Sequence, residues 1–487
     1  MVFSSLLFLL LFLPLNLICY YIPKKIKTRN VVLLIFSLFF YAWGEPIYVL
    51  ILVSMSYACW YFAFRIESAS KGSRKKWMIL AVLVCLGTLG VFKYTVFFIQ
   101  NLNLISFINI PAPQIQLPIG ISFYTFQLLT YVADVYRREV PAQRKFCNVL
   151  LYAGLYHQCI AGPIVRYGDV EKEINSRKTD IDALYDGFVR FCIGLAKKSV
   201  LANSCGALVD MLLLSDSALN NAAQLSQNID LLQGRSALSL WMGMALYMLQ
   251  IYLDFSAYSD MAIGLGLMFG FHFKENFQYP YTSDSITEFW RRWHISLGAF
   301  FRDYVYIPLG GNRKGKIRTI LNLFTVWFLT GLWHGASWNY ILWGLYFFVF
   351  LLLEKLFLIN TVKRNKTVHR LYVIIVVFFG WVFFRFSQLD LMNAVLKGMF
   401  CANGNSMLTY ESVHLALRYI PFFIICCIAC TPFAKKINVI LSDFTRNNPR
   451  TQIYSQALQI AIPCLLLIIS VISLTGDTYN PFLYFQF

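Results

Sequence analysis

Charge is what this sequence has least of. Asp, Glu, Lys and Arg make up 14% of its 487 residues, against about 25% in soluble domains. With 58% hydrophobic residues and a mean hydropathy of +0.58, the chain cannot clothe a water-facing surface. That excludes a string of soluble domains. Acidic residues are scarcer still, 24 against 42 basic, for a net charge of +18. In a soluble protein such an excess would suggest nucleic acid. Here the basic residues gather in short loops between apolar runs, as the positive-inside bias requires, and no nucleic-acid partner is expected.

Several catalytic templates are missing as well. There is no G-x-S-x-G elbow, no H-E-x-x-H zinc motif and no G-x-x-x-x-G-K-[ST] phosphate loop. The glycines of GLGLMFG open no βαβ unit and read as close-packing points between helices. No histidine begins an H-x-x-x-x-D pattern, and no internal repeat of the kind transporters often carry is visible. No metal and no permanently bound cofactor are expected. A membrane enzyme is thereby narrowed to acid/base chemistry on histidine. The twelve cysteines lie mostly in apolar runs, where a thiol is a small hydrophobe. Cys427 and Cys430 form one C-x-x-C with no second pair, which reads as packing.

What the chain does have is long apolar runs separated by basic loops. The expected fold class is all-α, a polytopic membrane protein in the lipid bilayer. About eleven transmembrane helices are expected, with interfacial and re-entrant helices around a thinned catalytic core. A single membrane domain would comprise N-terminal spans (1–110), a core (111–390) and C-terminal spans (391–487). Val2 to Tyr21 lacks a basic n-region and a cleavage site, so a retained first helix is expected. Lys24–Arg29, Arg65–Lys76 and Lys363–Arg370 belong on the cytoplasmic side, with the N-terminus and Gly476–Phe487 outside. Between about Phe146 and Gly270, charges such as Arg190, Lys197, Lys198, Asp254 and Asp260 interrupt the apolar runs. Re-entrant or interfacial helices are expected there.

Polar chemistry concentrates between Tyr252 and Trp343. Ser285 followed by Glu288 matches a capping box and predicts a helix from Ile286. Its apolar positions Ile286, Phe289, Trp290, Trp293, Leu297 and Phe301 recur at three- and four-residue steps. His294 falls on that apolar face. Arg291 and Arg292 cannot both share it, and reach for the interface, lipid phosphates or an anionic substrate. Further on, an apolar run leads from Arg318 to His334, roughly 24 Å away if helical, before Gly335–Ser337 breaks it. A histidine at that depth is a functional-site hypothesis by default, weighed evenly against a neutral histidine bonded between helices. The other four histidines, His157, His272, His369 and His414, read as core or interface residues.

These segments resemble a known family. FWRRWHISLGAFFRDYVYIPLGG (Phe289–Gly311) and GLWHGASWNYILWG (Gly331–Gly344) look like the membrane-bound O-acyltransferases, nearest their bacterial alginate O-acetyltransferase subgroup. LPIGISFYTFQLLTYVADVYRRE (Leu117–Glu139), IAGPIVRYGDV (Ile160–Val170), YLDFSAYSDMAIGLGLMFGF (Tyr252–Phe271) and WVFFRF (Trp381–Phe386) continue the resemblance in order. It implies that His334 is the family's near-universal histidine and His294 the second catalytic position. It implies transfer of an acetyl group from cytoplasmic acetyl-CoA across the plasma membrane of a bacterium, for O-acetylation of an exported or cell-surface polysaccharide. It also implies an extracytoplasmic acetyltransferase partner that completes delivery to the polysaccharide acceptor. Arg313, Lys314, Lys316 and Arg318 are candidates for holding the phosphates of acetyl-CoA, beside their simpler role in setting topology. Asn339, Tyr340 and backbone amides near Gly335 are candidate donors to the oxyanion. Two rival readings remain: D-alanyl or peptidoglycan acyl transfer on the same fold, and a transporter or flippase whose histidines gate a proton path.

Overall fold

Every regular element among the described residues of the computed structural model is a helix, and these residues are 1–105, 107–160, 162–358, 365–445, 449–476 and 482. Lys363, Arg364 and the expected external tail, Gly476 and Phe482 apart, lie outside them. Among the described residues, eight helices are long and apolar enough to cross a membrane: Ile26–Gly44, Val49–Ser68, Gly72–Leu102, Ala237–Met268, Trp338–Leu356, Lys366–Arg385, Tyr410–Ala429 and Ala457–Gly476. A shorter apolar helix spans Phe8–Tyr21. The chain is a multi-pass membrane protein. The count of eight compares with about eleven expected because several apolar stretches of the middle region form short helices. Phe146–Gly154 has nine residues and Ile121–Arg137 has 17, against the ~20 a bilayer requires.

Burial distinguishes axis from rim. The apolar window of Ala237–Met268 is 78% buried, whereas those of Tyr410–Ala429 and Ala457–Gly476 are 11% buried and present most of their side chains outward. The central helix packs against Ile181–Ala196 with almost no space between backbones. A Cβ on Gly187 would fall 2.6 Å from Gly264 O, and one on Gly264 equally close to Gly187 O. The carboxylates that interrupt the apolar run in sequence do not interrupt the helix. Ala237–Met268 runs unbroken through Asp254 and Asp260. A π-helical turn, Lys197–Ala202, carries two adjacent lysines that both reach it. Lys197 Nζ lies 2.5 Å from Asp260 and Lys198 Nζ 2.7 Å from Asp254. Each charge is paired across the helix contact, which is what makes it tolerable at membrane depth.

The two histidine segments stand beside this axis. Lys316–His334 and Trp338–Leu353 form a helical hairpin pressed together at glycines. A Cβ on Gly331 would lie 2.4 Å from Tyr340 O, and one on Gly344 2.4 Å from Trp327 O.

Candidate active site

The helix expected from Ile286 to Phe301 is two helices. Ile286–Arg292 ends before His294, which adopts φ 45° and ψ 55°, and Ile295–Phe301 follows. A left-handed conformation is unfavourable for a side chain with a Cβ, by about 1–3 kcal/mol, so surrounding contacts must hold it. They do so on both sides of the break. Gln278 N donates to Arg292 O at 3.0 Å, and Ile295 N to Asn276 O at 3.0 Å, clamping the turn against the 276–278 segment. The break swings the His294 ring inward, where it is buried edge-on to Phe255, 4.8 Å between centroids.

The start of the first short helix is where the sequence placed it, though only half of the capping box forms. Ser285 Oγ accepts from Glu288 N at 3.0 Å, while the Glu288 carboxylate accepts from Asp284 N at 2.8 Å rather than from Ser285. The remaining first-turn amides go to buried Glu354, which accepts from Ile286 N, Thr287 N and Thr287 Oγ1 at 2.5, 2.9 and 2.7 Å. A carboxylate suits the positive end of a helix. Glu354 follows the Trp338–Leu353 helix directly, so the element after His334 anchors the element before His294.

His334 is the last residue of its helix, and Gly335 continues in extended conformation. The run does break at Gly335–Ser337. A Cβ on Gly335 would meet the Tyr340 ring at 2.3 Å, so this corner requires glycine. The buried His334 ring sits edge-on to Trp333, Trp343 and Phe384, with centroids 4.8, 4.9 and 5.3 Å away.

His294 and His334 line one cavity of about 760 Å³. The Trp333 ring lies 5.9 Å from the His294 ring and 4.8 Å from the His334 ring. The two imidazoles therefore stand well inside the roughly 15 Å that a shared reaction site allows. Trp290, Trp293, Leu297, Val326, Trp327 and Thr330 form the body of the cavity. Its charged lining comprises Arg166, Lys274, Arg291 and Arg302 with Asp169 and Glu275. Lys274 is paired with Asp169 at 2.5 Å. Arg166 and Arg302 share Asp303, at 2.5 and 2.6 Å. Burial pushes the Asp303 carboxyl up, but hydrogen bonds from Arg302 and Arg166 outweigh it and hold the group below the usual carboxylate range. Arg291 has no ion-pair partner among the described residues.

The structure brings the two histidines to one cavity and places the candidate basic residues differently. Arg291 does reach the cavity, while Arg292 turns back to Glu288 at 2.5 Å and Thr282 at 3.1 Å. Arg313, Lys314, Lys316 and Arg318 are not among the lining residues, and Arg318 Nε donates to Leu309 O at 3.2 Å instead. Asn339 and Tyr340 do not line the cavity either. The Asn339 amide donates to Phe383 O and Phe384 O at 3.2 and 3.5 Å, which commits it to the neighbouring helix.

Two residues around the histidines went unnoticed. Buried Asn276 holds His294 through its side chain, with Oδ1 3.2 Å from Nδ1. Nothing in the sequence marks it. Lys93 is buried beside Trp333 and was signalled, as a lone cation inside the apolar run from Met78 to Gln100.

Comparison with known proteins supplies the family. The membrane-bound O-acyltransferase family matches residues 137–396, a stretch that contains both histidines. The chain is 36% identical to the "probable alginate O-acetylase" of Pseudomonas putida, over 100% of both chains. It is 40% identical to the protein of that description in Pseudomonas aeruginosa, over 82% of this chain and 75% of that one. With the peptidoglycan O-acetyltransferase of Helicobacter pylori it shares 31% identity over 100% of this chain and 98% of the relative. Two imidazoles converging on one cavity in an all-helical multi-pass fold, together with matches along the full chain, identify this protein as an O-acyltransferase of the membrane-bound O-acyltransferase family.

Proposed function

We propose that this enzyme takes an acetyl group from cytoplasmic acetyl-CoA and moves it across the plasma membrane of a bacterium for O-acetylation of an exported or cell-surface polysaccharide. An extracytoplasmic acetyltransferase completes delivery to the polymer. The observation that carries the reading is the shared cavity of His294 and His334, whose lining joins tryptophans with four cations. Full-length likeness to relatives named for O-acetylation of alginate and of peptidoglycan supports a carbohydrate-polymer hydroxyl as the final acceptor.

The chemistry follows from the groups present. An alcohol becomes a competent nucleophile when a base takes its proton, and imidazole suits that task near neutral pH. His334 takes the hydroxyl proton and the oxygen attacks the thioester carbonyl. A C–O bond forms, the C–S bond breaks, and the proton leaves with the thiolate as free CoA-SH. His294, held by Asn276, orients the reacting oxygen from the other side of Trp333. The anionic end of acetyl-CoA lies toward Arg166, Arg291 and Arg302, where positive charge favours its phosphates. Acyl groups in such a site are shielded from water by the tryptophans, which limits wasteful hydrolysis.

The test uses purified protein in lipid nanodiscs, labelled acetyl-CoA and a hydroxyl acceptor. Release of CoA with transfer of label is expected, abolished by His334→Ala and severely reduced by His294→Ala at unchanged protein abundance. Wild-type transfer rates in His334→Ala would sink the mechanism. Transfer only from an acyl-carrier-protein donor would replace acetyl-CoA by the D-alanyl reading. Movement of a solute with no acyl transfer would make the protein a transporter.

A further inference from the structure

A helix that ends inside a membrane protein leaves its last carbonyls without intrahelical partners, and no water is at hand to satisfy them. The helix Lys316–His334 ends this way. Gly335 is extended, and the helix has no C-terminal cap bond of its own. Two of its orphan carbonyls are met from another helix, by two consecutive residues of Lys71–Leu102. Tyr94 Oη donates to Leu332 O at 2.9 Å, and Lys93 Nζ donates to Trp333 O. Lys93 Nζ also lies 3.3 Å from Ser122 Oγ, near the start of the helix Ile121–Arg137. One buried lysine side chain thus ties three helices together at the residue immediately before His334.

The side chain of Trp333 is fixed by the same neighbours. Its ring packs on Phe123 and Phe126 with centroids 5.6 and 5.7 Å away, and Lys93 Nζ lies 5.8 Å from its centroid. With both its carbonyl and its indole held, Trp333 leaves the next residue little freedom to turn. A methionine would fill the same space without the expense of bringing a cation to this depth. The Lys93 Nζ donor supplies hydrogen bonds that packing alone does not. An ammonium at a helix C-terminus is electrostatically well placed.

We propose that Lys93 and Tyr94 are positioning residues, clamping the end of the Lys316–His334 helix so that the His334 imidazole is held at the cavity. The clamp rests on the reading of His334 as the reacting group, because its purpose is to aim that ring. A reacting nitrogen displaced by about 1 Å can lose on the order of a hundredfold in rate. The binding of acetyl-CoA by the cavity's cations does not depend on it. The clamp is a feature of the catalytic step.

The test compares full-length wild type, Lys93→Met, Lys93→Arg and Tyr94→Phe in nanodiscs by two independent readouts. The first is kcat and KM for acetyl-CoA. The second is the rate at which diethyl pyrocarbonate modifies His334, followed by peptide mass spectrometry with exposed His272 as internal control. Lys93→Met is expected to lower kcat by about tenfold or more, with KM within about twofold, and to speed His334 modification several-fold. Tyr94→Phe moves both readouts the same way but less, by about threefold, and Lys93→Arg restores most of the wild-type kcat. Unchanged kcat and unchanged His334 reactivity in Lys93→Met overturn the clamp. If that variant does not accumulate, the same result in Tyr94→Phe does so. A changed His334 reactivity in protein whose wild type transfers no acetyl group would uphold the clamp and refute the acyl-transfer reading instead.

Discussion

His294 Nδ1 stands 3.2 Å from Asn276 Oδ1, and this contact decides which ring nitrogen serves the cavity. Asn276 Oδ1 also accepts from Ser296 N at 3.2 Å and from Ser296 Oγ at 2.9 Å, while its amide nitrogen lies 3.3 Å from Ser259 Oγ. The network thus assigns the oxygen to the His294 side and the proton to Nδ1, leaving the lone pair on Nε2. Partners that hold a functional imidazole by its second nitrogen are worth about ten- to a hundredfold in activity. Asn276→Leu, which keeps the bulk and removes the acceptor, is expected to lower kcat by that factor with little change in KM for acetyl-CoA. Steady-state acetyl transfer measures it. A wild-type kcat in Asn276→Leu would show that the tautomer of His294 does not matter.

The hairpin carrying His334 depends on contact between backbones. A methyl group at Gly331 would fall 2.4 Å from Tyr340 O, and that atom belongs to a helix backbone that cannot swing aside. Gly331→Ala is therefore expected to separate the two helices and move His334, one turn further on. Transfer activity falls at least tenfold, and the thermal midpoint drops by several degrees as a close-packed contact is lost. Differential scanning fluorimetry beside the transfer assay checks both. Gly90→Ala, in the long helix Lys71–Leu102 with nothing within 4 Å of the added Cβ, is the control expected to leave stability intact.

The broad architecture was legible because it rests on solvent physics. Apolar runs bounded by basic loops become membrane helices whatever their partners. His334 was legible for a related reason: a long apolar approach from Arg318 left few places for a histidine except the interior. The break at His294 was not legible. Periodicity continued across it from Phe289 to Phe301, and only the tertiary bonds from Asn276 and Gln278 hold the ring in its left-handed turn. The partners of Asp254 and Asp260 were hidden in the same way, since pairing with Lys198 and Lys197 depends on how two distant helices face each other. That Arg166, Lys274, Arg291 and Arg302 line one cavity was not legible either, because they are scattered in sequence and only the fold gathers them.

Orientation in the membrane offers an experiment independent of catalysis. The helix Lys71–Leu102 has 32 residues, a length of about 48 Å, so its two ends belong on opposite sides of the bilayer. Lys75 is exposed near the first end, and Phe107, 88% exposed, lies just past the second. The basic loop Arg65–Lys76 is proposed to be cytoplasmic. In a cysteine-depleted background, Phe107→Cys is expected to react with a membrane-impermeant maleimide on intact cells. Lys75→Cys should react only after permeabilisation. The reverse pattern would invert the whole scheme and put the entry for acetyl-CoA on the wrong side.

The cavity's cations separate donor binding from chemistry. Arg166 and Arg302 already face Asp303, and Lys274 faces Asp169, so much of their charge is answered within the protein. Arg291 is exposed on the lining, without an ion-pair partner among the described residues, and is the cation with most to offer a phosphate. Removing it takes away binding that is made equally in the ground and transition states, which raises KM and spares kcat. Arg291→Ala is expected to raise KM for acetyl-CoA about fivefold at low salt. The difference should shrink as ionic strength rises, because an exposed charge is screened within a Debye length of about 8 Å at physiological salt. Arg318→Ala, whose guanidinium lies off the cavity against Leu309 O, should change KM less. Initial rates over a range of acetyl-CoA and salt concentrations decide the matter. If Arg318→Ala raises KM more than Arg291→Ala, the donor's phosphates rest on the basic turn at Arg313–Arg318, and the cavity's cations serve another purpose.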